Sequence, residues 1–153
     1  MILIAHRGNI NGSNPESENN PEYIDQAIDL GYDVEVDVWY QEVDGEPRLY
    51  LGHDEPQYIL EFDWLHQRID RLWIHCKNIE AMEFFTKHEY DYHFFWHEED
   101  TVTLTSKKVI WAYPGKQPIK SSIAVMPEQG GDDCASCLGV CSDFVTQYQQ
   151  QTI

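Results

Sequence analysis

Seven side chains able to hold a proton, a cation or a phosphate stand at or near the ends of successive apolar stretches: His6, Arg7, Glu35, Asp37, His53, His75 and Lys77. The chain opens M-I-L-I-A-H-R-G, an apolar run from Met1 that breaks at His6, Arg7 and Gly8. Further on, Glu35 and Asp37 alternate with Val34, Val36 and Val38, so both carboxylates face one way and the valines the other. Two carboxylates on one face of a buried strand repel each other and lose hydration, so they need a cation or a shared proton. A divalent metal is the natural partner, and hard oxygen ligands favour Mg²⁺ or Ca²⁺. The alternative is a structural ion network with Arg7, Lys77 or another base. His6 and His53 are acid-base candidates because imidazole titrates near neutrality. Arg7 and Lys77 supply fixed positive charge for phosphate oxygens.

Groups at such distant positions meet only if the elements carrying them end on a common rim. The pattern predicts strands at Met1 to Gly8, Tyr32 to Gln41, Arg48 to His53 and Arg71 to Lys77. Helices are predicted from Asn20-Pro21 into Gly31, after Asp63 with Leu65, Ile69 and Leu72 as its stripe, and from Ile79 to Lys87 with Asn78 as cap. Alternating strands and helices argue for a parallel sheet covered by helices, with polar strand ends converging on one edge. Later, Tyr90 to Trp96, Val109 to Tyr113, Ser122 to Met126 and Leu138 to Phe144 read as short strands joined by connections too short for full helices. The expected fold is therefore α/β, a compact TIM-like (β/α)8 barrel with short or missing helices in its second half, forming one domain over residues 1–153. An open or incomplete sheet is the competing arrangement.

His6-Arg7-Gly8, the Pro- and Glu-bearing loop after it, Val34-Glu35-Val36-Asp37-Val38, Asp44-Gly45 and Gly52-His53-Asp54 resemble the glycerophosphodiester phosphodiesterase family, a branch of the phosphatidylinositol phospholipase C-like barrels. The likeness is strong over roughly the first third of the chain and thins out after Lys77. It implies a metal at Glu35 and Asp37 and a phosphate between Arg7 and Lys77. It also implies that one of His6 and His53 takes a proton from a nucleophilic hydroxyl while the other gives one to the leaving alkoxide. The hydroxyl can be the substrate's own neighbour, which yields a cyclic phosphate. The family places a third metal carboxylate two residues before the lysine. His75 stands there instead, which shifts preference toward Mn²⁺ or Zn²⁺ or leaves the third position to water. His75 as a polar residue hydrogen-bonded inside the fold is the other reading. Glu18 falls where the family has a loop glutamate that steadies the metal ligands, with Glu16 as a rival.

Composition narrows the partners. A formal charge of −17, with no cluster of Lys or Arg, argues against a nucleic-acid or anionic-membrane surface while leaving room for a small phosphodiester substrate. No run is long and apolar enough to suggest membrane insertion, and no secretory leader is recognised, so the expected compartment is the cytoplasm. Cys134, Cys137 and Cys141 read as reduced thiols or one local disulfide, with a thiolate metal site as the alternative. Trp111, Tyr113 and Trp96 could wall a substrate pocket or simply fill the core. The expected assembly is a monomer or homodimer. A non-catalytic barrel that binds a phosphorylated ligand or a protein partner is the functional alternative.

Overall fold

The computed structural model describes residues 1–149. Its first strand, β1 (Ile2–His6), is followed by α1 (Pro21–Asp29), whose start is set by Pro21 and by the Asn20 side chain, which accepts a hydrogen bond from the Glu22 amide at 2.9 Å. A long strand, β2 (Asp33–Val43), then lies parallel to β1. Asp44 and Gly45 both have positive φ, and the turn they form returns the chain as β3 (Glu46–Leu51), antiparallel to the outer half of β2. A short strand, β4 (Tyr58–Leu60), adds to β3.

The chain then crosses through α2 (Phe62–Gln67) to β5 (Leu72–Cys76), which pairs with the inner half of β2. Here α2 begins at Phe62 without a side-chain cap, and Asp63 lies in its first turn; the expected stripe stops short, because Leu72 already belongs to β5. Asn78 caps α3 (Ile79–Lys87) through the Ala81 amide and also bonds both backbone groups of Tyr40, tying that helix to β2. The remaining elements are β6 (Phe94–Trp96), β7 (Val102–Leu104), β8 (Ile110–Ala112), β9 (Ser122–Val125), α4 (Pro127–Gly130), β10 (Gly139–Ser142) and α5 (Val145–Gln149).

These elements correct the barrel expectation. Among the described residues the ten strands form one mixed sheet with only five short helices, not a ring of alternating strands and helices. The strands β6, β5, β2, β1, β10, β9 and β8 run parallel in that spatial order, while β3, β4 and β7 are antiparallel additions. The third predicted strand is thus the return arm of a hairpin, because a two-residue turn can only join antiparallel neighbours. At the far side no ladder joins β6 to β7 or β8; isolated hydrogen bonds such as Ser106 N–H to the Phe94 carbonyl, 2.8 Å, take its place. The three-residue strands there are too short to carry a closing register.

The period of two in β2 holds. Val34, Val36 and Val38 pack with Ile24, Ala27, Leu65, Ala81 and Phe85 beneath the helices. The opposite face of the sheet buries Ile4, Trp73, Phe95, Trp111, Ile123 and Cys141, and the sheet curls until the rings of Phe95 and Trp111 lie 4.7 Å apart. Glu35, Asp37 and His75 sit on that inner face, past the apolar layer toward the strand ends. No helix among the described residues is long and apolar enough to cross a membrane.

At the inner edge of the core, His93 lies against Trp73 with ring centroids 3.9 Å apart and the planes tilted by 37°, and its Nε2 lies 2.7 Å from Thr105 Oγ1. Burial and the Lys107 charge push its pKa from 6.5 down to about 4, against a smaller opposing pull from Asp91. Between those values the unfolded chain binds a proton that the folded chain does not, so stability must fall as pH drops through that window. Urea unfolding at pH 7 and pH 5 should show this loss in the parent and a clearly smaller one in His93→Gln. An equal loss in both would contradict it.

Candidate functional site

The site is built on Asp37, which is fully buried. Its Oδ2 accepts from Asn19 Nδ2 at 2.9 Å and lies 3.2 Å from Arg7 Nε, while its backbone N–H donates to Asn19 Oδ1 at 3.0 Å. Its Oδ1 lies 3.0 Å from His75 Nδ1 and 3.8 Å from Lys77 Nζ. Burial alone would raise the Asp37 pKa, but the contact with His75 and the charges of Arg7 and Lys77 outweigh it and hold the carboxyl well below its ordinary range. Glu35, two residues earlier on the same face, goes the other way. Burial and the neighbouring Asp37 charge raise its pKa, against His6, His75 and Arg7.

His75 lies against Phe95, ring planes 6° apart, and its Nε2 is 3.0 Å from the His97 carbonyl. A carbonyl only accepts, so Nε2 carries a hydrogen. In the neutral ring Nδ1 is then a lone pair, and it faces Asp37 Oδ1 at 3.0 Å and Glu35 Oε1 at 3.7 Å. Three acceptors turned toward one another need something positive among them. The distance to Asp37 Oδ1 suits a hydrogen bond, yet that oxygen has no aligned donor, and Glu35 Oε2 is likewise buried without a partner. Ligand atoms of Glu35, Asp37 and His75 lie within 4.8 Å of one another. The chain's own donors therefore fit a divalent cation held by two carboxylate oxygens and one imidazole nitrogen; a second proton shared in the cluster is the rival.

His6 shows a related pattern. Its Nδ1 is 2.8 Å from Asp143 Oδ1, so Nδ1–H is the donor and Nε2 is left facing Glu35 Oε2 at 3.9 Å. Burial lowers its pKa, but Asp143 and Glu35 together raise it above the ordinary value. Asn9 donates from Nδ2 to Asp143 and to Glu18, both at 2.8 Å. Gly8 follows at positive φ, and a β-carbon there would also come within 2.9 Å of the Tyr23 ring, so both backbone and space call for glycine.

Glu18 touches none of the three cluster residues. It accepts from Arg7 at 3.1 Å, from Asn9 and from Ser13, and so acts on Asp37 only by orienting Arg7. The direct support comes from its neighbour Asn19. Glu16 is exposed.

His53 reaches the site by a different route from a parallel strand end. The hairpin brings the chain back down β3, and Gly52 N–H donates to the Asp37 carbonyl at 3.1 Å, which sets His53 beside the rim. Only glycine fits that corner, because a β-carbon would run into the Glu55 carbonyl oxygen. The Trp39 indole clamps it from the other side, donating to the Gly52 carbonyl at 2.6 Å. The His53 side chain is 41% exposed, with Nδ1 at 2.7 Å from Asp54 Oδ1.

His6, Arg7, Glu35, His53, His75 and Lys77 border a cavity of about 480 Å³, while Asp37 lies buried behind them. That volume is ordinary for a small-molecule site. Tyr113 and His97, stacked at 3.8 Å, form another part of the lining with Trp39 and Trp96; Trp111 also borders the cavity but is only 1% exposed and packs in the core. Asp143, Asn9 and Asn19 escape sequence reasoning, although Asp143 repeats the strand-then-acid pattern of His53-Asp54. All four cysteines are free, and none joins a metal-ligand cluster among the described residues.

No protein-family model matches the chain, and comparisons with curated proteins and with solved structures find no match either.

A cation bound at this cluster would stabilise the folded state, by about 2.7 kcal/mol when present at a hundred times its Kd. Thermal unfolding should therefore shift upward by several degrees with Mn²⁺, Mg²⁺ or Ca²⁺ and not in Asp37→Asn. His75→Ala should weaken Mn²⁺ more than Ca²⁺. No shift with any ion would make the cluster a proton-sharing ion network.

Proposed function

We propose that the chain is a metal-dependent phosphodiester hydrolase acting on a small glycerophosphodiester-like substrate. The observation that carries this reading is the convergence on one cavity of two cations, two imidazoles and an unsatisfied carboxylate-imidazole cluster. The likeness of His6-Arg7-Gly8, Glu35-Val36-Asp37 and Gly52-His53-Asp54 to the glycerophosphodiester phosphodiesterases supports the same assignment. Charge also favours it. A protein at −17 repels a dianionic phosphomonoester more than a monoanionic diester, which suits diester entry and monoester release.

Arg7 and Lys77 hold the nonbridging phosphoryl oxygens, each kept in place by Asp37. A divalent ion bound by Glu35, Asp37 and His75 would supply further positive charge as the phosphorus becomes five-coordinate. One of His6 and His53 removes the proton from the attacking hydroxyl, of water or of the substrate's own alcohol, as its oxygen bonds to phosphorus. The bond to the leaving oxygen breaks, its electron pair stays on that oxygen, and the other imidazole delivers the proton. Asp143 fixes the His6 tautomer so that Nε2 meets the substrate.

A second reading is binding without turnover. The exposure of His53 and its attachment to Asp54 at the mouth favour it, since an acid-base group gains from burial beside its substrate.

Release of glycerol phosphate from a panel of glycerophosphodiesters should occur with one of Mg²⁺, Ca²⁺ or Mn²⁺ and stop with chelator. His6→Ala and His53→Ala should each lower kcat by roughly 10²- to 10⁴-fold. Retention within a few-fold of the parent by either variant would overturn its role, and diester binding without product under any ion would favour the second reading.

A further inference from the structure

His6, Arg7, His53 and Asp54 border not one cavity but two. Besides the 480 Å³ space, a second space of about 350 Å³ shares these four residues in its lining. The two differ in chemistry. The larger one presents Trp39, Trp96 and Tyr113, the last backed by His97 at a ring distance of 3.8 Å. The smaller one, apart from Pro15, is lined by hydrogen-bonding side chains, among them Ser13, Glu18, Asn19, Gln57 and Asp143.

We infer that the two alcohols of the substrate are sorted by this ridge, with a hydroxyl-rich alcohol in the smaller polar lobe and an alcohol with a flat apolar body in the larger aromatic lobe. The inference rests on the hydrolase reading for its phosphodiester. Attack and departure at phosphorus are roughly in line, so the incoming and outgoing oxygens lie on opposite sides of the phosphoryl group. When the attacking hydroxyl belongs to the retained alcohol itself, that alcohol lies on the incoming side and the departing one opposite, so a phosphate held by Arg7 between His6 and His53 directs one arm into each space. Ser13, Gln57 and the carboxylate of Asp143 offer hydroxyl, amide and carboxylate groups that can bond hydroxyls and gain nothing from an aromatic ring, whereas Trp96 and Tyr113 offer faces that gain most from a planar apolar group. On this account the polar lobe reads the polyol and the aromatic lobe reads the other alcohol, and the two selectivities vary independently.

Three diesters separate the lobes: glyceryl methyl, glyceryl phenyl and methyl phenyl phosphate. Binding is followed by tryptophan fluorescence in chelator and turnover by product release with Mn²⁺. The glyceryl phenyl ester should bind about tenfold tighter than the glyceryl methyl ester, the equivalent of ~1.4 kcal/mol. Trp96→Ala should abolish that difference, with Tyr113→Leu as the second variant should the first not fold. Gln57→Ala should weaken both glyceryl esters alike and leave methyl phenyl phosphate unchanged. Equal weakening of all three esters by Trp96→Ala, or no preference for phenyl in the parent, would overturn the division while turnover kept the hydrolase reading intact. Selective binding without turnover under any ion would uphold the division and overturn the hydrolase. Neither binding nor turnover would overturn both.

Discussion

A carboxylate with no exposure to water is the constraint from which the first half of this molecule follows. Asp37 stays ionised inside the fold only because positive or donating groups reach it from separate segments. Arg7 comes from the end of β1, Asn19 from the loop before α1, and Lys77 from just past the end of β5. Removing any of these leaves a buried charge short of compensation, which costs far more than an exposed pair is worth. Glu35 then shares the same pocket with too few donors, and its tendency to hold a proton is the same shortage viewed from the other carboxylate. The site is therefore polarised before any ligand arrives.

The strand carrying Asp37 solves a second problem by changing partners midway. On one edge β1 pairs with it as far as Glu35 and β3 takes over from Val38, while β5 holds the other edge from Val34 to Val38. The exchange opens a place at the rim where the chain coming back down β3 can set His53 near the groups on β1 and β5. An antiparallel hairpin thus delivers a residue to the end of a parallel sheet. The cost is that β3 and β4 leave the parallel order, and with three-residue strands on the far side the sheet remains open.

What the sequence made legible was local. The alternation from Val34 to Val38 needs only a period of two, and it correctly separates the carboxylates from the valines facing the helices. Asn20-Pro21 and Asn78 announce helix starts because capping is a contact within three residues. The direction of Arg48 to His53 was not legible from its pattern, which reads the same both ways; Asp44-Gly45 held the answer, since that turn cannot feed a crossover. Tyr58–Leu60 and Val102–Leu104 are too short to show any period. Asp143 lies 137 residues from His6, and nothing local marks it as that ring's partner. Glu18 was placed near the site by its loop, but only the folded chain distinguishes the residue that holds Arg7 from the one that holds Asp37.

The central claim is that the phosphorus of a phosphodiester sits beside a cation held by Glu35, Asp37 and His75. Pulsed electron paramagnetic resonance of the protein with one equivalent of Mn²⁺ and excess glycerol phosphate tests it most directly. The account requires nitrogen coupling from a single imidazole, lost in His75→Ala, together with phosphorus coupling from the ligand, lost in Arg7→Ala with the nitrogen signal retained. Bound Mn²⁺ without either coupling, or no bound Mn²⁺, would contradict it.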